Sequence, residues 1–176
     1  IGLLAIGFIG PRLVYSGSAA VAHGIYWAYV ALWSLLIGPV VSLYTNAGLA
    51  SQVYNAFFIT AAVFGALSLY GYTTKRDLSA WGKFLFMAAV GLLLAIIVNW
   101  LFLQSGLFGF LISSAVVLVF SAITAYETQM IKNLYQSGPG GVEANKRSSI
   151  MGAFMLYGSF ATLFIHILNI LGFMRE

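Results

Sequence analysis

Residues 107–126 run for 20 positions without a charged side chain. A helix of that length reaches about 30 Å, the thickness of a bilayer's hydrocarbon core. Comparable apolar runs recur along the chain and do not alternate with period two. In lipid every backbone N–H and C=O must be satisfied within the protein, which leaves helices or a closed barrel. Barrel strands would show short alternating segments, so these runs predict helices. Composition agrees: the chain is 61% hydrophobic and only 7% charged, whereas a soluble domain carries about 25% charged residues. The fold class expected is all-α, a polytopic transmembrane helix bundle.

Six segments are expected, over residues 1–15, 19–44, 52–72, 81–102, 107–126 (continuing as helix to 135) and 150–173. The first covers roughly 22 Å, short for a complete span. The chain also begins at Ile1 rather than methionine. The first segment therefore reads as the inner part of a helix whose beginning is missing, with Pro11 and Arg12 at its exit. Pro39 is a candidate kink in the second segment. Connectors are short except for 136–149, where Ser137-Gly138-Pro139-Gly140-Gly141 favours a flexible turn. No linker divides the chain, so residues 1–176 are expected to form one N-terminally truncated helical domain.

Basic residues set the orientation. Arg12, Lys75, Arg76, Lys83, Lys132, Lys146 and Arg147 flank the first, third and fifth connectors, and Arg175 is the exception. That pattern places these connectors on the inner side of the membrane. The pI of 9.4 then reflects topology, not nucleic-acid binding. Cysteine is absent, which excludes disulfides and thiolate metal sites. His23 and His166 lie in separate segments with no acid nearby, so no metal site and no cofactor are expected.

Only four residues are acidic. Asp77, Glu143 and Glu176 fall in connectors or at the end, while Glu127 closes the uncharged run 107–126. An ionisable group at the edge of hydrocarbon is expensive and by default functional. Its bland alternative is an interfacial glutamate reaching water or a basic neighbour. Acids this few and this separated cannot provide paired general acid–base chemistry, and no nucleophile–base pair is visible, so the chain reads as non-enzymatic.

Small residues four apart (Ala61 and Gly65, Gly91 and Ala95, Gly109 and Ser113, Gly158 and Thr162) allow close helix approach and are read as packing within the chain rather than as a dimer interface. Asn55, Asn99 and Asn169 are expected to make interhelical hydrogen bonds. Trp81, Trp100, Tyr44 and Tyr72 are expected in an interfacial aromatic belt.

The stretch 57–79, ending Tyr70-Gly71-Tyr72-Thr73-Thr74-Lys75-Arg76-Asp77-Leu78-Ser79, resembles the Bax-inhibitor family of membrane proteins, also called lifeguard or transmembrane Bax inhibitor motif proteins, and most closely its alphaproteobacterial branch. Thr124-Ala125-Tyr126-Glu127-Thr128-Gln129-Met130-Ile131-Lys132 is similar to the family's Tyr-Asp-Thr-Gln signature, and residues 150–157 add to the match. The resemblance implies a seven-helix fold, of which the six segments would be helices two to seven. It also implies a pH-sensitive calcium or cation leak. In such proteins aspartates on helices six and seven share a proton, and an arginine at the end of helix two latches the helix-six carboxylate.

On this chain the resemblance puts Glu127 at the first aspartate and Ser159 at the second, within Leu156-Tyr157-Gly158-Ser159-Phe160. Serine cannot share a proton as a carboxylate does, so Glu127 is expected to titrate as a single site. Arg12 matches the latch arginine by its place at the end of the first segment; alternatively it only marks topology. The leading expectation is a pH-modulated calcium or cation leak in a bacterial inner membrane, or else a mitochondrial inner membrane. Its partners would be the lipid bilayer and calcium or protons. The alternative is a non-catalytic accessory or modulator subunit of a larger membrane complex, such as a respiratory assembly or membrane protease, with a degenerate ion site.

Overall fold

The computed structural model describes residues 2–16, 18–137 and 142–174. Gly17, the Gly-Pro-Gly-Gly of the expected fifth-connector turn, Arg175 and Glu176 lie outside the described residues. Six α-helices follow one another: α1 (Gly2–Ser16), α2 (Ala19–Asn46), α3 (Ala50–Thr73), α4 (Gly82–Val98), α5 (Gly106–Ser137) and α6 (Val142–Phe173). A 3-10 turn at Ser79–Trp81 leads into α4, and a π turn at Asn99–Leu103 ends it. Among the described residues there is no strand, and five helical stretches are long and apolar enough to cross a membrane.

The helices start and stop where polar or conformationally free residues allow. Ser18 caps α2, its hydroxyl accepting the Val21 N–H at 3.4 Å. Gly48, at φ +76°, turns the chain between α2 and α3. Asn99 closes the hairpin between α4 and α5: its backbone C=O accepts the Gln104 N–H at 2.7 Å and its side chain accepts the Ser105 N–H at 3.2 Å. Asn99 thus satisfies backbone at a turn rather than bridging two helices, while Asn55 and Asn169 are exposed. Pro39 lies inside the assigned length of α2, and Pro11 inside α1.

The clearest departure from the expected segments is at α6. It begins at Val142, eight residues before the apolar run at Ile150, so most of the long fifth connector is helix. The residues between are mostly polar but helix-compatible (Glu143, Lys146 and Arg147 among them). They extend the helix past the hydrocarbon, where apolarity no longer marks its length.

Helix α6 is the centre of the bundle. In an 18-residue apolar stretch of its span 44% is buried, against 6–17% in the matching stretches of the other four spans. It packs along α5 and also meets α1, α2 and α3. One cluster of buried residues (Ala56, Leu163, Phe164, Ile167 and Leu168) joins α3 to α6, with Val40, Phe64 and Phe120 against it. A second (Val14, Ala22, Ile150 and Met151) joins α1, α2 and the start of α6. The large apolar side chains of α4, such as Phe84, Phe86 and Met87, face outward, as lipid-facing residues must.

Small residues decide the close contacts, though not all of those the spacing suggests. Gly158 lies against the Tyr29 hydroxyl and Gly109 against Asn99, as packing positions should. Gly65 and Gly91 face open space, because packing selects one helix face and four-residue spacing alone does not reveal which. The closest approach of two backbones is at Gly71, where an added Cβ would meet the Ala125 carbonyl of α5. Trp81, Trp100 and Tyr72 are exposed. Tyr44 instead turns inward, its hydroxyl donating to the Leu168 carbonyl at 3.3 Å.

Backbone cannot move aside as a side chain can, so Gly71→Ala should lower stability by about 1–3 kcal/mol, the range for overpacking. Gly65→Ala should be neutral or stabilising, since alanine is the better helix former. Thermal unfolding of both variants in one detergent checks the pair; equal midpoints would contradict the α3–α5 contact.

Candidate functional site

Two helices build the site. Glu127 lies on α5 and Ser159 on α6, and the Ser159 hydroxyl donates to Glu127 Oε2 at 2.6 Å. Such a length is typical of a hydroxyl bonded to a charged oxygen. Ser159 is buried, 2% exposed, and Glu127 is half-buried in the seam between the helices. Gly158 makes this seam possible on the α2 side, where the Tyr29 ring fills the space a side chain would occupy. Tyr29 stacks on Phe154 at 4.1 Å and meets Tyr157 edge-on at 6.3 Å. An aromatic wall from α2 and α6 thus stands beside the carboxylate.

The two residues expected to face each other do so. Arg12 does not join them: it is exposed on α1 and makes no ion pair or hydrogen bond with Glu127.

Sequence reasoning missed the residue that holds this end of α5 in place. Gln129, two positions after Glu127, is buried, and its side chain grips the connector between α3 and the 3-10 turn. Its Oε1 accepts the Leu78 N–H at 2.8 Å and its Nε2 donates to the Arg76 carbonyl at 2.8 Å. Lys132 adds a bond to the Tyr72 carbonyl at 2.7 Å and sits 4.9 Å from the centre of the Tyr72 ring. The signal was present, since Gln129 belongs to the quoted signature, but a glutamine beside a glutamate draws attention away from itself. On the other side of α5, Ile131 packs against Gly152 of α6. The segment carrying Glu127 is therefore clamped between connector and α6.

Asp77 lies in that connector and is exposed. The Ser79 N–H, 2.9 Å from its Oδ1, and the Ser79 hydroxyl hold its carboxyl below the usual carboxylate range. Its folded-state pKa is depressed, so its contribution is present above that range and lost only as pH falls through it. Asp77 stays charged around neutrality and cannot supply a neutral-pH response.

At the opposite end of the bundle lies a cavity of about 890 Å³. At its base His166 Nδ1 is 3.1 Å from the Ser113 hydroxyl. His23 is separate and exposed, its Nδ1 2.8 Å from the Ala19 carbonyl. Among the described residues no three His, Cys, Asp or Glu side chains group as metal ligands would.

A helical bundle of this hydropathy, with the basic side chains of its described residues gathered at one end and an acid inside the seam, is a polytopic integral membrane protein. The chain matches, over residues 1–176, the family described as inhibitor of apoptosis-promoting Bax1. It is 40% identical over 173 residues to the inner membrane protein YbhL of Escherichia coli, covering 98% of this chain and 72% of that protein. It is 39% identical over 155 residues to an uncharacterized protein of Rickettsia prowazekii, covering 88% of this chain and 63% of that one. An uncharacterized protein of Caulobacter vibrioides is 40% identical over 155 residues, covering 88% and 60%. The chain belongs to the Bax-inhibitor family.

Replacing Gln129 by leucine removes both connector bonds and leaves two backbone groups unpaired at the edge of the bundle. The expected cost is about 1–3 kcal/mol. Amide exchange should quicken across residues 74–79 while α6 keeps its protection; unchanged exchange there would show that the clamp does not hold the connector.

Proposed function

We propose that the protein is a non-catalytic, pH-modulated cation leak, calcium being the cation the family resemblance suggests, with Glu127 as its proton-sensitive group. The observation that carries this reading is the Glu127–Ser159 hydrogen bond across the α5–α6 seam. A carboxylate held between two spanning helices links their contact to its own protonation. When Glu127 is charged, Ser159 donates to it. When it is neutral, the carboxyl can itself donate, and the charge-assisted character of the bond is gone. A change in charge at one position thus alters the contact between the two helices that pack most extensively. Serine in the second position makes this a one-proton device, without the mutual repulsion that couples two neighbouring carboxylates.

In vesicles loaded with a calcium indicator, Glu127→Gln should abolish the pH dependence of flux, and the unaltered chain should respond with the steepness of a single proton. Ser159→Asp should convert the response to two coupled steps. Asp77→Asn should leave the profile near neutrality untouched. Flux and pH dependence unchanged in Glu127→Gln would defeat the proposal, and the alternative role as an accessory subunit of a membrane complex would then be examined by gentle solubilisation and identification of what co-purifies.

A further inference from the structure

We propose that the His166–Ser113 bridge is a second, outer barrier of the same path, and that the cavity above it is a water-filled vestibule admitting a hydrated cation. The cavity lies at the end of the bundle away from the basic connectors. Its walls come from the end of α2 (Tyr44), the π turn after α4 (Asn99), the α4–α5 connector (Gln104, Ser105) and the last turns of α6 (Asn169). At about 890 Å³ it has room for a few tens of waters at about 30 Å³ each. Amide, hydroxyl and imidazole groups supply polar partners for that water, which an acyl chain would leave unsatisfied.

Among the described residues no Asp, Glu, Lys or Arg lines the cavity. The few neutral polar side chains here are too sparse to replace the six to eight oxygen ligands of a divalent ion's shell. A cation at this mouth therefore keeps its water, and a bridge that closes the floor to water closes it to the ion. His166 and Ser113 form that floor, one from each helix of the seam that carries Glu127. Along α6, His166 follows Ser159 by two turns, about 10 Å. Thr162 lies on the same face between them, with its hydroxyl turned back to the Gly158 carbonyl at 2.8 Å. Beneath the bridge Val116 and Leu163 are fully packed, at 2% and 0% exposure. The seam thus holds polar pairs at two levels with a dry section between them.

This inference rests on the leak reading, but its test does not depend on flux. The chain has no cysteine, so single cysteines can be introduced into the full chain, reconstituted in vesicles, and probed with a charged, membrane-impermeant thiosulfonate from each side. Asn169→Cys, in the vestibule wall, should react readily from the side of the α4–α5 connector. Thr162→Cys, one turn below the bridge, should react at least about tenfold faster when combined with His166→Ala or Ser113→Ala. Its protection should return with His166→Asn, which keeps a hydrogen-bonding group facing Ser113. An unreactive Asn169→Cys would mean that lipid fills the cavity, and a Thr162→Cys rate indifferent to His166 and Ser113 would mean that the bridge is no barrier; either overturns the inference. If this labelling pattern holds while Glu127→Gln leaves flux unchanged, the outer barrier stands and the Glu127 reading alone fails.

Discussion

The contact between α5 and α6 governs the rest of the structure. In lipid the hydrophobic effect does not drive helices together, so association depends on close packing and on hydrogen bonds between side chains. The α6 sequence supplies both. Gly152 and Gly158 let Ile131 and Tyr29 approach its backbone, and Ser159 and His166 offer hydrogen bonds toward α5. Around that axis α3 is brought close to α5 by Gly71, and α2 is tied to α6 by Tyr29 and Tyr44. The helix richest in apolar residues, α4, packs chiefly on α5, and its high hydropathy serves lipid.

The spans were legible in the sequence because the bilayer imposes a length and a polarity that composition cannot disguise. Five of the six segments were located to within a few residues. The sixth was not, because beyond the hydrocarbon edge a helix need not be apolar: Lys146, Arg147 and Ser148 read as connector and fold as helix. Contacts between helices were less legible. Four-residue spacing of small side chains identifies a face that can pack, but Gly65 and Gly91 carry that spacing toward open space. The approach of Gly71 to the Ala125 carbonyl and that of Gly82 to the Tyr126 ring come from glycines without a four-residue partner. Tyr44 shows the same limit: an aromatic near a helix end is as suited to an inward bond with the Leu168 carbonyl as to an interfacial belt.

The candidate site divides in the same way. Glu127 stood out by charge alone, and only the resemblance brought Ser159 to it, since nothing in the residues around a lone serine announces a partner 32 positions away. Arg12 was selected by position and sits elsewhere, exposed. Gln129 went unread because a buried amide bonded to backbone leaves no compositional trace. Its effect is nonetheless direct: it fixes the helical turn that follows Glu127 to the connector on the basic side, so that a shift of α5 at the carboxylate must move that connector as well.

The pairing of glutamate with serine deserves to be weighed against the pair of aspartates that the family pattern implies. A glutamate arm is one methylene longer than an aspartate arm, and a serine arm ends one atom sooner. Exchanging Asp–Asp for Glu–Ser therefore keeps the reach across the seam nearly constant, and the 2.6 Å bond shows the gap closed. The electrostatics change far more than the geometry. Two carboxylates in contact repel unless they share a proton, so their contact is conditional on pH in both helices at once. Glutamate and serine attract in either protonation state of the acid, since the hydroxyl can donate or accept. The bridge then persists where a dyad would open, and protonation changes its strength rather than its existence. On the leak reading proposed for this chain, protonation of Glu127 therefore acts by weakening the α5–α6 contact rather than by breaking it.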